Sequence, residues 1–229
     1  MLQIDVDYRK FRFSKLRSSE FSHLLLLLFW PVYGVMFLAV ERLIPRDYYQ
    51  PVWCELDNFI PFNELFIIPY WAWFVLLVGM IVYLGVFDVE NFKKYMWFII
   101  ISYSVTIIFY LIYPTCQNLR PDIVRDNVFA VAVRGLYDFD TNTNVCPSIH
   151  VLGMAGAFWG GWYAKGMQKI GWKIFWSISL ILVCLSTVFL KQHSIIDVFA
   201  AAALCVITYF IVYRIMPNIK IKRAVLNNE

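Results

Sequence analysis

Long apolar runs constrain this chain more than any other feature. Six stretches of about membrane length, residues 22–40, 66–87, 95–113, 148–164, 172–190 and 195–213, are almost free of charge. About 20 helical residues cross the ~30 Å hydrocarbon core of a bilayer. Inside lipid every backbone amide must pair within its own segment, which selects helices. No ten-residue stretches alternate with a period of two, so a transmembrane barrel is not expected. Composition agrees: 61% of residues are hydrophobic and 16% charged, more apolar surface than a soluble domain of this size can hide. The expected fold is an all-α integral membrane protein with six transmembrane helices in a bundle. An N-terminal tail (1–21) precedes the membrane domain (22–213), and a C-terminal tail (214–229) follows it. The charged first twenty residues do not read as a cleavable signal peptide.

Lysine and arginine set the expected orientation. The N-terminal tail carries Arg9, Lys10, Arg12, Lys15 and Arg17. Lys93 and Lys94, then Lys165, Lys169 and Lys173, then Arg214, Lys220, Lys222 and Arg223 fall on the same side. That is 14 of 20 basic residues, so both tails are expected to be cytoplasmic. The net charge of +4 reads as a topology and anionic-lipid signal, with no need of a nucleic-acid partner. Arg42, Arg46, Arg120, Arg125, Arg134 and Lys191 remain on the outer side. Three of these, Arg120, Arg125 and Arg134, cluster in one outer loop near Asp122, Asp126, Asp138 and Asp140.

Three polar segments meet that outer face: "YPTCQNLRP" (113–121), "CPSIH" (146–150) and "LKQHSIID" (190–197). His193 and Asp197 are four apart, one turn above the other on a helix. A carboxylate there fixes the imidazole tautomer and leaves the other ring nitrogen free to attack. The competing reading is a structural His–Asp pair at a helix start, although an ionisable residue at membrane depth is costly without a purpose. Pro147 suits the first turn of a helix. Ser148 and the free N–H groups after it then form an anion-binding helix start, with His150 in the same turn. Together the parts hold a phosphate on Arg120 and the helix start, attack phosphorus with one histidine and protonate the leaving oxygen with the other. Neither a metal nor another cofactor is called for. His23, the third histidine, reads as structural.

At these residues the chain resembles the type 2 phosphatidic acid phosphatase superfamily. Its membrane members carry K-x6-RP, PSGH and SR-x5-H-x3-D. The matches are Arg120–Pro121, then Pro147, Ser148 and His150, then Ser186, His193 and Asp197 at the family spacings. The resemblance covers residues 66–213. It implies His193 as nucleophile, Asp197 as its orienting acid, His150 as general acid, and Arg120 and Ser148 as phosphate ligands. Tyr113, Ile149 and Thr187 stand where the family has lysine, glycine and arginine. Two phosphate cations are thus missing, and Lys191, one turn after Thr187, is the candidate replacement, with Arg125 and Arg134 behind it. The pattern is similar to the branch that includes inositol phosphorylceramide synthases and small bacterial phosphatases. The implied function is a metal-independent lipid phosphate phosphatase working through a phosphohistidine on the outer face of a bacterial cell membrane. Its partners are then a lipid phosphate and membrane lipids. A head-group phosphotransferase, or a non-catalytic transporter or scaffold on the same fold, is the alternative.

Weaker signals complete the reading. Gly156 and Gly160 form a G-x-x-x-G pair, expected to let the fourth and sixth spans pack closely. Trp53, Trp71, Trp73, Trp97, Trp159, Trp162 and Trp172 read as interfacial anchors. Five cysteines show no metal spacing, and a bridge between Cys116 and Cys146 would staple the site. The stretch 41–64 reads as a plain amphipathic interface loop.

Overall fold

The computed structural model describes residues 3–44 and 47–218. Arg46, Lys220, Lys222 and Arg223, four of the basic residues weighed for orientation, lie outside the described residues. Most of the chain is helix: α1 (Phe29–Leu38), α2 (Leu56–Phe59), α3 (Ile67–Phe87), α4 (Val89–Ile112), α5 (Val128–Phe139), α6 (Ile149–Tyr163), α7 (Ile170–Phe189) and α8 (Ile195–Tyr209). Among the described residues five helical segments are long and apolar enough to cross a membrane: Ser22–Leu43, Glu64–Phe87, Val89–Ile112, Ile170–Phe189 and Ile195–Asn218. The first joins a 3-10 stretch to α1 and ends in a π turn, and the last runs past residue 213 through a similar π turn.

The sixth expected span, 148–164, is α6, and it differs from the others. Fifteen residues rise only about 22 Å. Ten of those fifteen are buried, so α6 is the central post of the bundle. The outer helices show the reverse pattern. On α3, Ile67, Tyr70, Trp73, Leu77, Met80 and Leu84 face inward at spacings of three and four. Its opposite face, with Ile68, Phe74, Val75, Val78 and Val82, is equally apolar and exposed. A helix apolar all round belongs in lipid.

The glycines of α6 serve close packing, but against partners other than the expected one. A methyl group on Gly156 would lie 2.9 Å from Ile99 of α4, and one on Gly160 would lie 3.2 Å from Leu84 and Met80 of α3. The G-x-x-x-G face is therefore turned to α3 and α4 and away from α8. Gly156→Val should overpack this contact and cost about 1–3 kcal/mol, read as a lower melting temperature in detergent.

One further expectation is corrected, and the N-terminal tail adds contacts of its own. The segment 113–147 is not a continuous loop, because α5 occupies its middle. Asn127 caps that helix, accepting from the Phe129 and Ala130 N–H groups at 3.0 and 2.9 Å. Ala130 and Val133 face inward while Val128, Val131 and Phe139 stay exposed, so a short amphipathic helix hides among the charges. The N-terminal tail folds back on the membrane domain. The Tyr8 hydroxyl donates to the Gly85 carbonyl at 2.6 Å and meets His23 Nε2 at 2.7 Å. Asp5 pairs with Lys165 at 2.9 Å. His23 is thus a buried structural residue with a specific partner.

Candidate active site at the starts of α6 and α8

Residues 113–121, 146–150 and 190–197 converge as one polar layer. Thr115 Oγ1 accepts from the Val145 and Cys146 N–H groups, each at 3.1 Å. Gln117 Nε2 donates to the Lys191 carbonyl at 2.9 Å. The Tyr110 hydroxyl holds the Pro147 carbonyl at 2.8 Å. The Ser148 N–H donates to the Asp197 carbonyl at 3.3 Å, which joins the start of α6 to the start of α8.

At that junction the two histidines and the acid form a line. His193 Nδ1 lies 3.1 Å from Asp197 Oδ2. The other nitrogen of His193, Nε2, lies 3.3 Å from His150 Nδ1. All three residues are buried. Asp197 also accepts from the Ser194 N–H at 3.0 Å and so completes a capping box at the start of α8. Its carboxylate can therefore take the Nδ1 proton only of an imidazole held in one orientation. That assigns the lone pair to His193 Nε2. Tyr70 and Trp73 of α3 fix the other ring, with centroids 4.5 and 4.6 Å from His150. Trp73 is therefore a buried wall of the site and no interfacial anchor. Trp53 and Trp71 do stay exposed.

A cleft opens on this pair, walled by Phe37, Tyr110, Asp140, Asn144, Ile149 and Gln192 among others. Ile149 and His150 of its wall open α6, whose first turn has no side-chain cap, which favours an anion. Its free volume is about 30 Å³, room for one or two waters. A phosphoryl group requires the His150–His193 contact to part.

The expected phosphate ligands do not line this cleft. Arg120 donates to the carbonyls of Tyr137, Asp140 and Thr141 at 3.2, 3.0 and 2.8 Å, and to Gln192 Oε1 at 2.5 Å. Its guanidinium stacks on Tyr137 at 4.5 Å, and burial lowers its pKa. It clamps the end of α5 to the α7–α8 turn. The Ser148 hydroxyl is fully buried with no partner. Lys191 is turned away: its backbone has φ of 53° and its ammonium donates to the Asp57 carbonyl at 2.7 Å. Arg125 pairs with Glu64 at 2.8 Å and Arg134 with Asp126 at 2.6 Å. None of these three cations lines the cleft.

Sequence reasoning missed two acids that shape the site. Asp57, in the stretch taken for a plain loop, is buried. It accepts from the Ser194 hydroxyl at 2.6 Å, and from the Ile195 and Cys54 N–H groups at 2.9 Å each. A strap over residues 50–60 thus holds the start of α8, anchored by the parallel pairing of Gln50–Pro51 with Thr115–Cys116. Glu41, at the end of the first span, accepts from Thr141, from Thr143 at 3.2 Å and from Asn144 at 2.7 Å. It fixes the turn that leads into Pro147. No spacing rule links either acid to its partners. The five cysteines are free. The Cys116 thiol donates to the Tyr49 carbonyl at 3.7 Å, and burial pushes the Cys146 thiol up to about 12.

Asp140 carries a testable pH signature. Its Oδ2 accepts from the Tyr70 hydroxyl at 3.3 Å and from Gln192 Nε2 at 3.5 Å. Burial raises its pKa above the ordinary 3.8, against the pull of His193 and Arg120. The folded chain then binds a proton that the unfolded chain has released. Its stabilising contribution is complete below 3.8 and is lost as pH rises through the folded value. Asp140→Asn should flatten the decline in melting temperature over that window and raise the melting temperature at neutral pH.

No family model, curated protein or solved structure matches the chain.

Proposed function

We propose that this protein is a lipid phosphate phosphatase of the membrane, working through a phosphohistidine. The observation that carries the reading is the line Asp197–His193–His150, buried at two helix starts beside a cleft. In the proposed reaction His193 Nε2 attacks phosphorus as the ester oxygen leaves, and His150 gives that oxygen its proton. Asp197 balances the positive charge that develops on His193. Water, deprotonated by His150, then attacks the phosphohistidine and releases inorganic phosphate. The free N–H groups of α6 stabilise the phosphoryl oxygens.

In this reading α6 counts as the sixth crossing and both tails are cytoplasmic. The packing of the N-terminal tail against Lys165 supports one shared side for those segments. The cleft then faces the outer side, as expected for a substrate whose phosphate sits at the interface. Transfer to an alcohol is the second reading. Asn144, Thr141 and Thr143 on the wall facing the histidines supply hydrogen-bond partners for such an acceptor.

The test uses the full chain in detergent with EDTA and a panel of lipid phosphates, with and without alcohol acceptors. Phosphate release by wild type and none by His193→Ala supports the phosphatase. A new lipid without free phosphate supports the transferase. Silence of the wild type across the panel favours a non-catalytic transporter or scaffold.

A further inference from the structure

If a phosphate ester is to reach the histidines, a cation should meet it, and the cations expected at the site are committed elsewhere. Arg120 holds three carbonyls and Gln192. Lys191 holds the Asp57 carbonyl, and Arg125 and Arg134 are in ion pairs. A neighbouring space lies beside the cleft. A second cavity of about 170 Å³ shares Phe37, Asp140 and Thr141 with it and opens between the end of the first span and the end of α5. Among the described residues lining the two, Arg42 is the sole arginine or lysine.

We propose that this side cavity is the entrance for a lipid phosphate monoester, and that Arg42 is the residue that binds its phosphate there. Arg42 is exposed, and its side chain donates one hydrogen bond, from one terminal nitrogen to the Phe139 carbonyl at 2.8 Å. Among the described residues Nε and the other terminal nitrogen have no partner, and a guanidinium presents two parallel donors to a phosphate. Neighbouring carboxylates do not consume its charge. Glu41 is held by Thr141, Thr143 and Asn144, and Asp140 by Tyr70 and Gln192.

The rim chooses the source of the phosphate. Leu38 is 55% exposed and Phe139 is 82% exposed beside the guanidinium. A charged group flanked by bare apolar side chains fits an amphiphile, with its chains in the bilayer and its phosphate turned inward. A soluble phosphate ester would leave that rim uncovered.

The inference rests on the phosphate-ester reading for what enters the cleft, so the experiment separates binding from turnover. Full-length protein carrying His193→Ala, which leaves the probe intact, is titrated in detergent with dioleoyl phosphatidic acid. Parallel titrations use glycerol 3-phosphate. The same titrations are run with Arg42→Gln and Arg42→Lys added. An unchanged melting temperature verifies the fold of each variant. Arg42→Gln should weaken phosphatidic acid binding about 10- to 100-fold, with Arg42→Lys between the two. Equal affinities in the three chains, or no phosphatidic acid binding by any, would overturn the proposal. Glycerol 3-phosphate binding as tightly as the lipid would overturn the lipid entrance. Binding through Arg42 in a wild-type chain that releases no phosphate would sustain this site and retire the phosphatase.

Discussion

His193→Ala is expected to lower phosphate release by at least ~10⁴-fold, with the melting temperature nearly unchanged. Among the described residues its ring nitrogens meet only Asp197 and His150, so in the proposed mechanism its loss removes the nucleophile while the start of α8 keeps its Ser194 and Asp197 caps. His150→Ala should behave differently. A general acid contributes about 10²–10⁴-fold, and its worth depends on the leaving group. An aryl phosphate expels a stable anion and needs little proton transfer. The His150→Ala deficit in the transfer step, read as kcat/KM or as a burst of released aryl alcohol, should therefore shrink several-fold on an aryl phosphate, whereas the His193→Ala deficit should be the same on both substrates. Equal deficits for both variants on both substrates would show that His150 only supports the fold or binds substrate.

Asp57→Ala is expected to be the most damaging change to stability. It leaves the Ser194 hydroxyl and the Ile195 and Cys54 N–H groups without their acceptor in a buried place. Each buried donor left unpaired costs about 1–3 kcal/mol. With partial relaxation the sum is about 3–5 kcal/mol, a melting-temperature drop on the order of 10 °C for a chain of this size. Asp57→Asn keeps one acceptor oxygen and should lose less than half as much. The strap also sets where His193 and Asp197 sit, because both flank the α8 turn that Asp57 holds. The asparagine variant should therefore keep its KM while its kcat falls about 10-fold or more, since a 1 Å displacement of a reacting group costs up to about 10²-fold. A melting temperature unmoved by Asp57→Ala would mean that the strap does not hold α8.

What was legible beforehand follows the range of the interactions. The long helices are written in local sequence as runs of apolar residues, so their existence and approximate limits could be read. The grouping of residues 113–121, 146–150 and 190–197 could also be read, because each sits at a span end on the same side. Arg120, Lys191 and Ser148 show the limit of that reading. Being in the right segment does not aim a side chain: the left-handed backbone at Lys191 sends its ammonium to Asp57, and carbonyls of the α5 end absorb Arg120. α5 was hidden because twelve amphipathic residues between charged turns have no membrane-length signature. Asp57 and Glu41 were hidden because the partners that tie them to the site lie 100 to 138 residues away, and a long-range hydrogen bond leaves no period in the sequence. Trp73 was misplaced because a tryptophan near a span end faces either lipid or core, and only the neighbouring helix decides.

The most direct test of the central claim is to trap the phosphoryl group on the protein. An aryl phosphate with a labelled phosphoryl group is given to the His150→Ala chain, where transfer to His193 should proceed and release to water should be slow. The reaction is stopped in alkali after seconds. The account predicts label on the intact chain, stable to alkali, lost in mild acid, mapped to the peptide containing His193 and absent when His193→Ala is added. Turnover with no such label, or label that persists with His193 removed, would contradict it.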